Sequence, residues 1–576
     1  MRDLPPEGLT HSLDSPPPTA PLGRYIRWQF LIAIGGVFLL TLLLGVTAYN
    51  VSTELVPDRG GVFREGVAGN PQYLNPLLCQ THEIDQDLCS LLFRGLTRLD
   101  ANGRVAPDLA ESWSSTPDGL IYTFRLRKDQ FWHDGVAITA DDIAFTVGML
   151  QAPDTPIVPD LAELWRSVDM EVVDAQSVRF ILDESFAPFL DYTSIGLLPK
   201  HIWQNVAPAD LASSPLNLTP VGSGPMRITS SSAAMIHMEP NPYWGEDTPY
   251  ISALEFIFYP DYPSIYAAYT KGELDGISRV LVGDLPLAKE REDLQLFSAL
   301  ESVYVSVVFN LKNPDTPFFQ EKAVRQALLY GLNRERLVAD AVSGQGIVAN
   351  SPIPANSWAY ASDLPSFPYD PTRAARLLDE AGWIDRDADG VRDKDGRALR
   401  FVLLSNDDPV RRQIIEQISA DWRAIGVLAV PQSVSFAGLV SDFLAPRRFD
   451  AALVTWSITG DPDPFPLWHS SQIGEGGQNY SGWMNDEADR LIQDARSTID
   501  RAKREVLYAQ FQRLFLEELP AIPLYYPVYT YGVSERVKNV QIGPLNTPSD
   551  RFATFADWYI VTRRMPVNQT SGASGK

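Results

Sequence analysis

Cysteine and histidine are the scarcest chemical resources of this 576-residue chain, which has two of the former and six of the latter. Cys79 and Cys89 stand ten positions apart, a spacing that matches no common metal motif. Two readings of the pair stay open: a short-loop disulfide, which an oxidising compartment allows, or two free thiols. The histidines (His11, His82, His133, His201, His237 and His469) show no ligand spacing among them. There is no Gly-x-Ser-x-Gly, no His-Glu-x-x-His, no Walker loop and no Gly-x-Gly-x-x-Gly before a helix. A catalytic function is therefore not expected, and no cofactor is implied. Basic charge is also short: Lys+Arg 48 against Asp+Glu 72 leaves a net charge of −24, which opposes phosphate backbones and anionic lipid headgroups. Nucleic acid is excluded as a partner on that ground. No repeat of solenoid length is present.

What the chain does have is apolar material, with 45% hydrophobic and 11% aromatic residues, and one long uncharged run. From Trp28 to Tyr49 no ionisable side chain interrupts the text before the closing Tyr. At about 1.5 Å per residue this run can cross a hydrocarbon layer of about 30 Å. Arg24 and Arg27 precede it while Glu54 and Asp58 follow, so the positive-inside rule puts the N-terminus in the cytoplasm and the bulk outside. The run is longer than the apolar stretch of a cleavable signal, although Val46-Thr47-Ala48 offers a small-residue site. Both an uncleaved anchor and a cleaved signal imply export. Residues 1–27 read as a disordered leader and 566–576 as a loose tail.

Between them, strand-like runs alternate with amphipathic helices, the mark of an α/β protein. Ile121–Leu126 and Ser177–Leu182 alternate apolar and polar residues. Thr139 is placed to cap a helix from Ala140, with two acids in its first turn. Val221-Gly222-Ser223-Gly224-Pro225 breaks the pattern and is a natural crossing between subdomains. A second boundary is expected near 309, after the strand Tyr304–Asn310. Further helices are expected near 372–381, 408–424 and 485–517, and strands near 399–404 and 450–456.

The ordered text Leu74-Asn75-Pro76, Phe93-Arg94-Gly95-Leu96, Pro107-Asp108-Leu109-Ala110-Glu111-Ser112-Trp113, Phe131-Trp132-His133-Asp134-Gly135 and Thr139-Ala140-Asp141-Asp142-Ile143 resembles the extracellular solute-binding proteins of family 5. That is the oligopeptide, dipeptide and nickel type serving ABC importers. Gly222-Ser223-Gly224-Pro225, Asn241-Pro242-Tyr243-Trp244, Lys271-Gly272-Glu273-Leu274-Asp275, Val324-Arg325-Gln326-Ala327-Leu328 and Asn479-Tyr480-Ser481-Gly482-Trp483 extend the likeness, which runs from about Arg64 to Trp558. The resemblance implies a two-lobed periplasmic-binding-protein fold of the large type II, three-domain variety, here preceded by one transmembrane helix at 28–49. Residues 60–99, 222–308 and 525–565 would build the core of the first lobe, 100–221 an inserted subdomain, and 309–524 the second lobe. It further implies a monomer that captures an oligopeptide or similarly extended solute between its lobes and hands it to permease subunits backed by ATPase subunits. A sugar, opine-like or metal-chelate ligand, or a sensory ectodomain, is the alternative.

In the peptide-binding members an acid three residues past a strand-ending Trp pairs with the ligand's amino group. Trp456 is that Trp here, and Thr459 occupies the acid's place. Asp461 or Asp463 can take over the role, or can shape the turns of Gly460-Asp461-Pro462-Asp463. Thr81 and His82 lie where the family's first-lobe cleft strand touches ligand. Trp358, Trp456, Tyr480 and Trp483 are candidate cleft walls, or ordinary core. Asp385 to Asp393 starts like a calcium loop but has Gly396 where the last ligand belongs, so no metal is expected.

Overall fold

A computed structural model describes residues 22–100, 103–245 and 247–566. The chain divides into two compact units, 1–58 with 561–576, and 59–560.

In the first unit a helix runs Leu22–Ser52, and its segment Trp28–Ser52 has a mean hydropathy of 2.5 with no buried side chain, long and apolar enough to cross a membrane. The expected leader lies outside the described residues up to position 21, and 22–27 are helical. Of the expected tail, 567–576 also lies outside them. The helix passes directly into the strand Thr53–Asp58, which pairs antiparallel with Val561–Pro566. Arg564 fastens that ribbon, donating to Thr53 Oγ1 at 3.1 Å and placing its guanidinium 5.3 Å from the Tyr49 ring centre.

The second unit is organised on a twelve-stranded mixed sheet. One strand, Ala521–Ser534, spans its middle and belongs to both halves. Its first residues pair with Val303–Phe309, from Val308 opposite Ala521 to Val305 opposite Tyr525. Its later residues pair with Leu294–Leu300, from Leu300 opposite Val528 to Leu294 opposite Ser534. The two partner strands therefore lie end to end, joined by Glu301-Ser302, and the chain crosses between halves there and again inside the long strand. The boundary expected near 309 falls earlier in the chain. Val303–Phe309 instead pairs along its whole length with Ala451–Ser457 and is buried on both faces, so it is a central strand of the later half. A strand apolar on both faces carries no signal in its own text for the half it joins.

Each half has apolar clusters of its own. Around the later half one gathers Phe309, Phe401, Ile418 and Trp422, and another gathers Trp456, Trp468, Phe511 and Phe515. The earlier half is covered by Phe63, Phe256, Tyr531 and Trp558 on one side and Ile265, Tyr269 and Ile277 on the other. A separate four-stranded antiparallel sheet, in the order Ala110–Ser115, Ile121–Leu126, Ser177–Leu182, Val168–Asp174, packs its own cluster of Trp132, Trp165, Phe180, Phe189 and Trp203. This is the region expected as an insertion. Its helix Ala140–Gln151 starts where the capping residues put it, with Asp142 Oδ2 accepting the Thr139 N–H at 2.9 Å.

The return from this sheet uses Gly222 and Gly224. Ser223 and Gly224 N–H both donate to Leu92 O at 2.8 Å, and a Cβ on Gly222 would lie 1.9 Å from that same oxygen. Only glycine permits this approach. His133 locks the crossing: its Nδ1 accepts from Gly222 N–H at 3.1 Å, and its Nε2 donates to Gly224 O at 3.1 Å. Burial first of all holds this imidazole down to about pKa 4.

Candidate functional site

A cavity of about 500 Å³ lies between the two halves of the second unit. Its wall is made by the turn and helix around Pro76–Ser90 with 546–550, by 188–196 beside the four-stranded sheet, and by Thr459, Gly460, Asp461 and Asp463 after the strand Ala451–Ser457. Gly460, at φ +75°, lets the loop after the strand Ala451–Ser457 turn into the cleft, and Phe465 N–H donates to Asp463 Oδ1 at 3.0 Å to close that turn.

The cleft is shut at its rim. Ala187 N–H donates to Arg496 O at 2.8 Å and Ser185 Oγ to Ser497 O at 2.7 Å, while the Arg496 guanidinium lies 4.9 Å from the Phe186 ring centre. These join the inserted subdomain to the bend between the helices Asp486–Ser497 and Arg501–Glu518.

The acids of the cleft differ in how they are paired. Asp461 is gripped by Arg504 through two hydrogen bonds of 2.7 and 2.6 Å, with both side chains 6% exposed. Arg504 also donates to Tyr508 Oη at 2.8 Å and to Ala495 O at 2.9 Å. Asp463 lies 3.2 Å from Arg496, and burial, opposed by Arg496, pushes its carboxyl up to about 6. Across the gap stands Asp191, whose carboxyl burial and the neighbouring Asp461 push up to about 8.

The expected residues fall into groups. Thr459, Asp461 and Asp463 line the cavity. Trp358 lines a smaller hollow that shares Gly460 with it, and Arg501 lies 4.5 Å from the Trp358 ring centre. His82, with a 42% exposed side chain, meets Thr81 Oγ1 at 2.9 Å beside the helix Glu83–Leu92, and Thr81 borders a shallow side hollow. Trp456 is 5% exposed within the second lobe's core, where its Nε1 donates to Ser306 Oγ at 3.2 Å; Tyr480 stacks on it at 5.6 Å. Trp483 is also core. Cys79 and Cys89 are free, buried neighbours on the cavity wall, and burial with the adjacent Cys79 thiol holds Cys89 well above its usual pKa. Asp385, Asp387 and Asp389 gather their carboxylates within 4.8 Å on the exposed surface, where they accept backbone N–H groups of their own loop. Asp191, Arg496, Arg504 and Tyr508 were not expected. Nothing in their local text marks them, since Asp191 and Arg496 meet the cleft loop only through the fold, and the Arg504–Tyr508 pair on one helix reads as ordinary helix text.

Residues 104–477 match the family described as bacterial extracellular solute-binding proteins, family 5 middle. The chain belongs to this family. It is 32% identical over 499 residues to the oligopeptide-binding protein AppA of Bacillus subtilis, covering 85% of this chain and 90% of that one. It is 28% identical over 512 residues to the dipeptide-binding protein of Escherichia coli, covering 83% and 91%. The structure of the Bacillus subtilis AppA in complex with a nonapeptide superposes with a TM-score of 0.71 at 31% identity, covering 88% of this chain and all of that one. As a family 5 protein the chain has the periplasmic-binding-protein fold and is a solute-binding component of an ABC transporter rather than an enzyme.

Proposed function

We propose that this protein captures an oligopeptide or similarly extended solute in the cavity between its lobes and delivers it to an ABC permease while held at the membrane by Trp28–Ser52, with its N-terminus inside. The carrying observation is the cavity itself: about 500 Å³, within the range of small-ligand sites, with walls from both lobes and a rim that the inserted subdomain closes. A site built from two lobes binds by closure, and closure is what a permease reads. The oligopeptide- and dipeptide-binding relatives favour a peptide. Thr459, Asp461 and Asp463 are the second-lobe residues placed to meet it, with Trp358 at the margin. The test is mass spectrometry of whatever denaturation releases from freshly purified full-length protein. Peptides are the expected release; a sugar or metal chelate in their place would overturn the peptide reading and leave the binding role intact.

A further inference from the structure

Four carboxylates reach the cavity, and no lysine or arginine is among its described lining residues. Three of the four are already answered. Asp461 is forked by Arg504, Asp463 is paired with Arg496, and Asp550 accepts the N–H groups of Asn546 and Thr547 at 2.7 and 3.1 Å. Asp191 is the exception. Among the described residues no basic side chain lies within ion-pair distance of it, and beyond its own backbone no group donates to its carboxylate. Arg501 and Arg504 act on it only from farther away. It faces the opposite lobe directly, for a Cβ on Gly460 would sit 3.4 Å from Asp191 Oδ1.

We infer that Asp191, from the first lobe's inserted subdomain, is the carboxylate that receives a primary ammonium of the bound solute, such as the N-terminus of a peptide. This rests on the reading of the cavity as the solute site. Asp461 is not equivalent, because its charge is already matched by Arg504 in a buried fork. In the closed cleft Asp191 is the wall carboxylate left without a cationic partner, which burial penalises. Burial first, and the nearby Asp461 second, push its carboxyl up. An ammonium between the lobes supplies that partner: the cation pairs with Asp191, so a cationic guest favours closure. Asp191 is then a specificity residue that also links occupancy to closure.

The experiment uses immobilised full-length protein in detergent, offered a lysine-free random peptide pool of two to ten residues and the same pool N-acetylated, with retained peptides counted by mass spectrometry. The wild type is expected to retain free-amine peptides at least about tenfold over acetylated ones, as one buried ion pair permits. Asp191→Asn is expected to bring that ratio below about threefold with an unchanged melting temperature, and Asp191→Glu to restore it. Equal retention of the two pools by the wild type overturns the inference while the peptide reading stands. So does a preference that survives in Asp191→Asn, or one that stays lost in a folded Asp191→Glu. Retention of neither pool overturns the peptide reading, and this inference with it.

Discussion

Asp461 and Trp456 show how a residue's surroundings set what it can do. Asp461 stands in the cavity wall, yet both its oxygens are taken by Arg504, itself held by Ala495 O and Tyr508 Oη. Removing the acid strands a buried guanidinium, so Asp461→Ala is expected to cost about 3–5 kcal/mol in urea denaturation, far beyond the loss of a surface pair. A loss under about 1 kcal/mol would mean that water reaches Arg504. Trp456 points the other way from its expected role, into a core with Trp468 and Tyr480. Trp456→Ala is expected to lower stability by about 3–5 kcal/mol through the cavity it opens. The text around Trp456 was legible as the end of a strand, but alternation cannot say which face of that strand looks at the cleft. A shift of one residue reverses the answer. Thr459, Asp461 and Asp463 were pointed to by the family resemblance rather than by the strand's own pattern, and they line the cavity because the loop after that strand leaves the sheet.

At the scale of elements, amphipathic periods and caps were enough for the strands Ile121–Leu126 and Ser177–Leu182 and for the helices Ala140–Gln151, Pro371–Glu380 and Pro409–Arg423. The single helix expected over 485–517 is two, because Thr498 to Asp500 turns and Asp500 caps a second start by accepting from Ala502 and Lys503 N–H. That bend carries half of the rim, so the break serves the site. The Gly222–Gly224 crossing was legible from its glycines, and the structure adds the reason: Leu92 O occupies the place of any side chain on Gly222. Gly222→Ala must push the crossing off the helix end and is expected to cost at least about 1–3 kcal/mol, visible as a lowered urea midpoint. His133 makes the same crossing sensitive to acid. Its folded pKa of about 4 lies below the unfolded value of about 6.5, so folding favours the neutral ring. The corresponding stability is complete above pH 6.5 and is lost as pH falls through 4, amounting to about 3 kcal/mol over that window. His133→Asn is expected to flatten the slope of melting temperature against pH between 6.5 and 4. An unchanged slope would place the ring in water.

Over the whole second unit, the sheet is continuous through one strand, Ala521–Ser534, while the apolar clusters on either side are separate. Two halves joined by Glu301-Ser302 and by the middle of that strand can hinge there, since the described buried clusters on either side are separate and only Leu300 reaches from one half to the other's cluster. The closed arrangement then depends on the few groups that meet across the cleft. Arg496 is central among them: its carbonyl accepts from Ala187 and its guanidinium lies 4.9 Å from the Phe186 ring centre, while its contacts with Phe465 at 4.0 Å and Asp463 at 3.2 Å stay within its own half. Arg496→Ala leaves the backbone bond to Ala187 in place and removes the contact with Phe186 across the cleft. That one cation–π contact contributes about 0.5–2 kcal/mol. The loss from the closed form should therefore be about 0.5–2 kcal/mol, or about 2- to 30-fold in the open-to-closed ratio. Since the open form releases solute, its off-rate should rise by the same factor while the on-rate, set by the open cleft, hardly changes. Small-angle scattering of the ligand-free protein should show a larger radius of gyration than the wild type. A variant whose radius and off-rate both match the wild type would mean that the hydrogen bonds of Ala187 and Ser185 close the cleft without the side chain of Arg496.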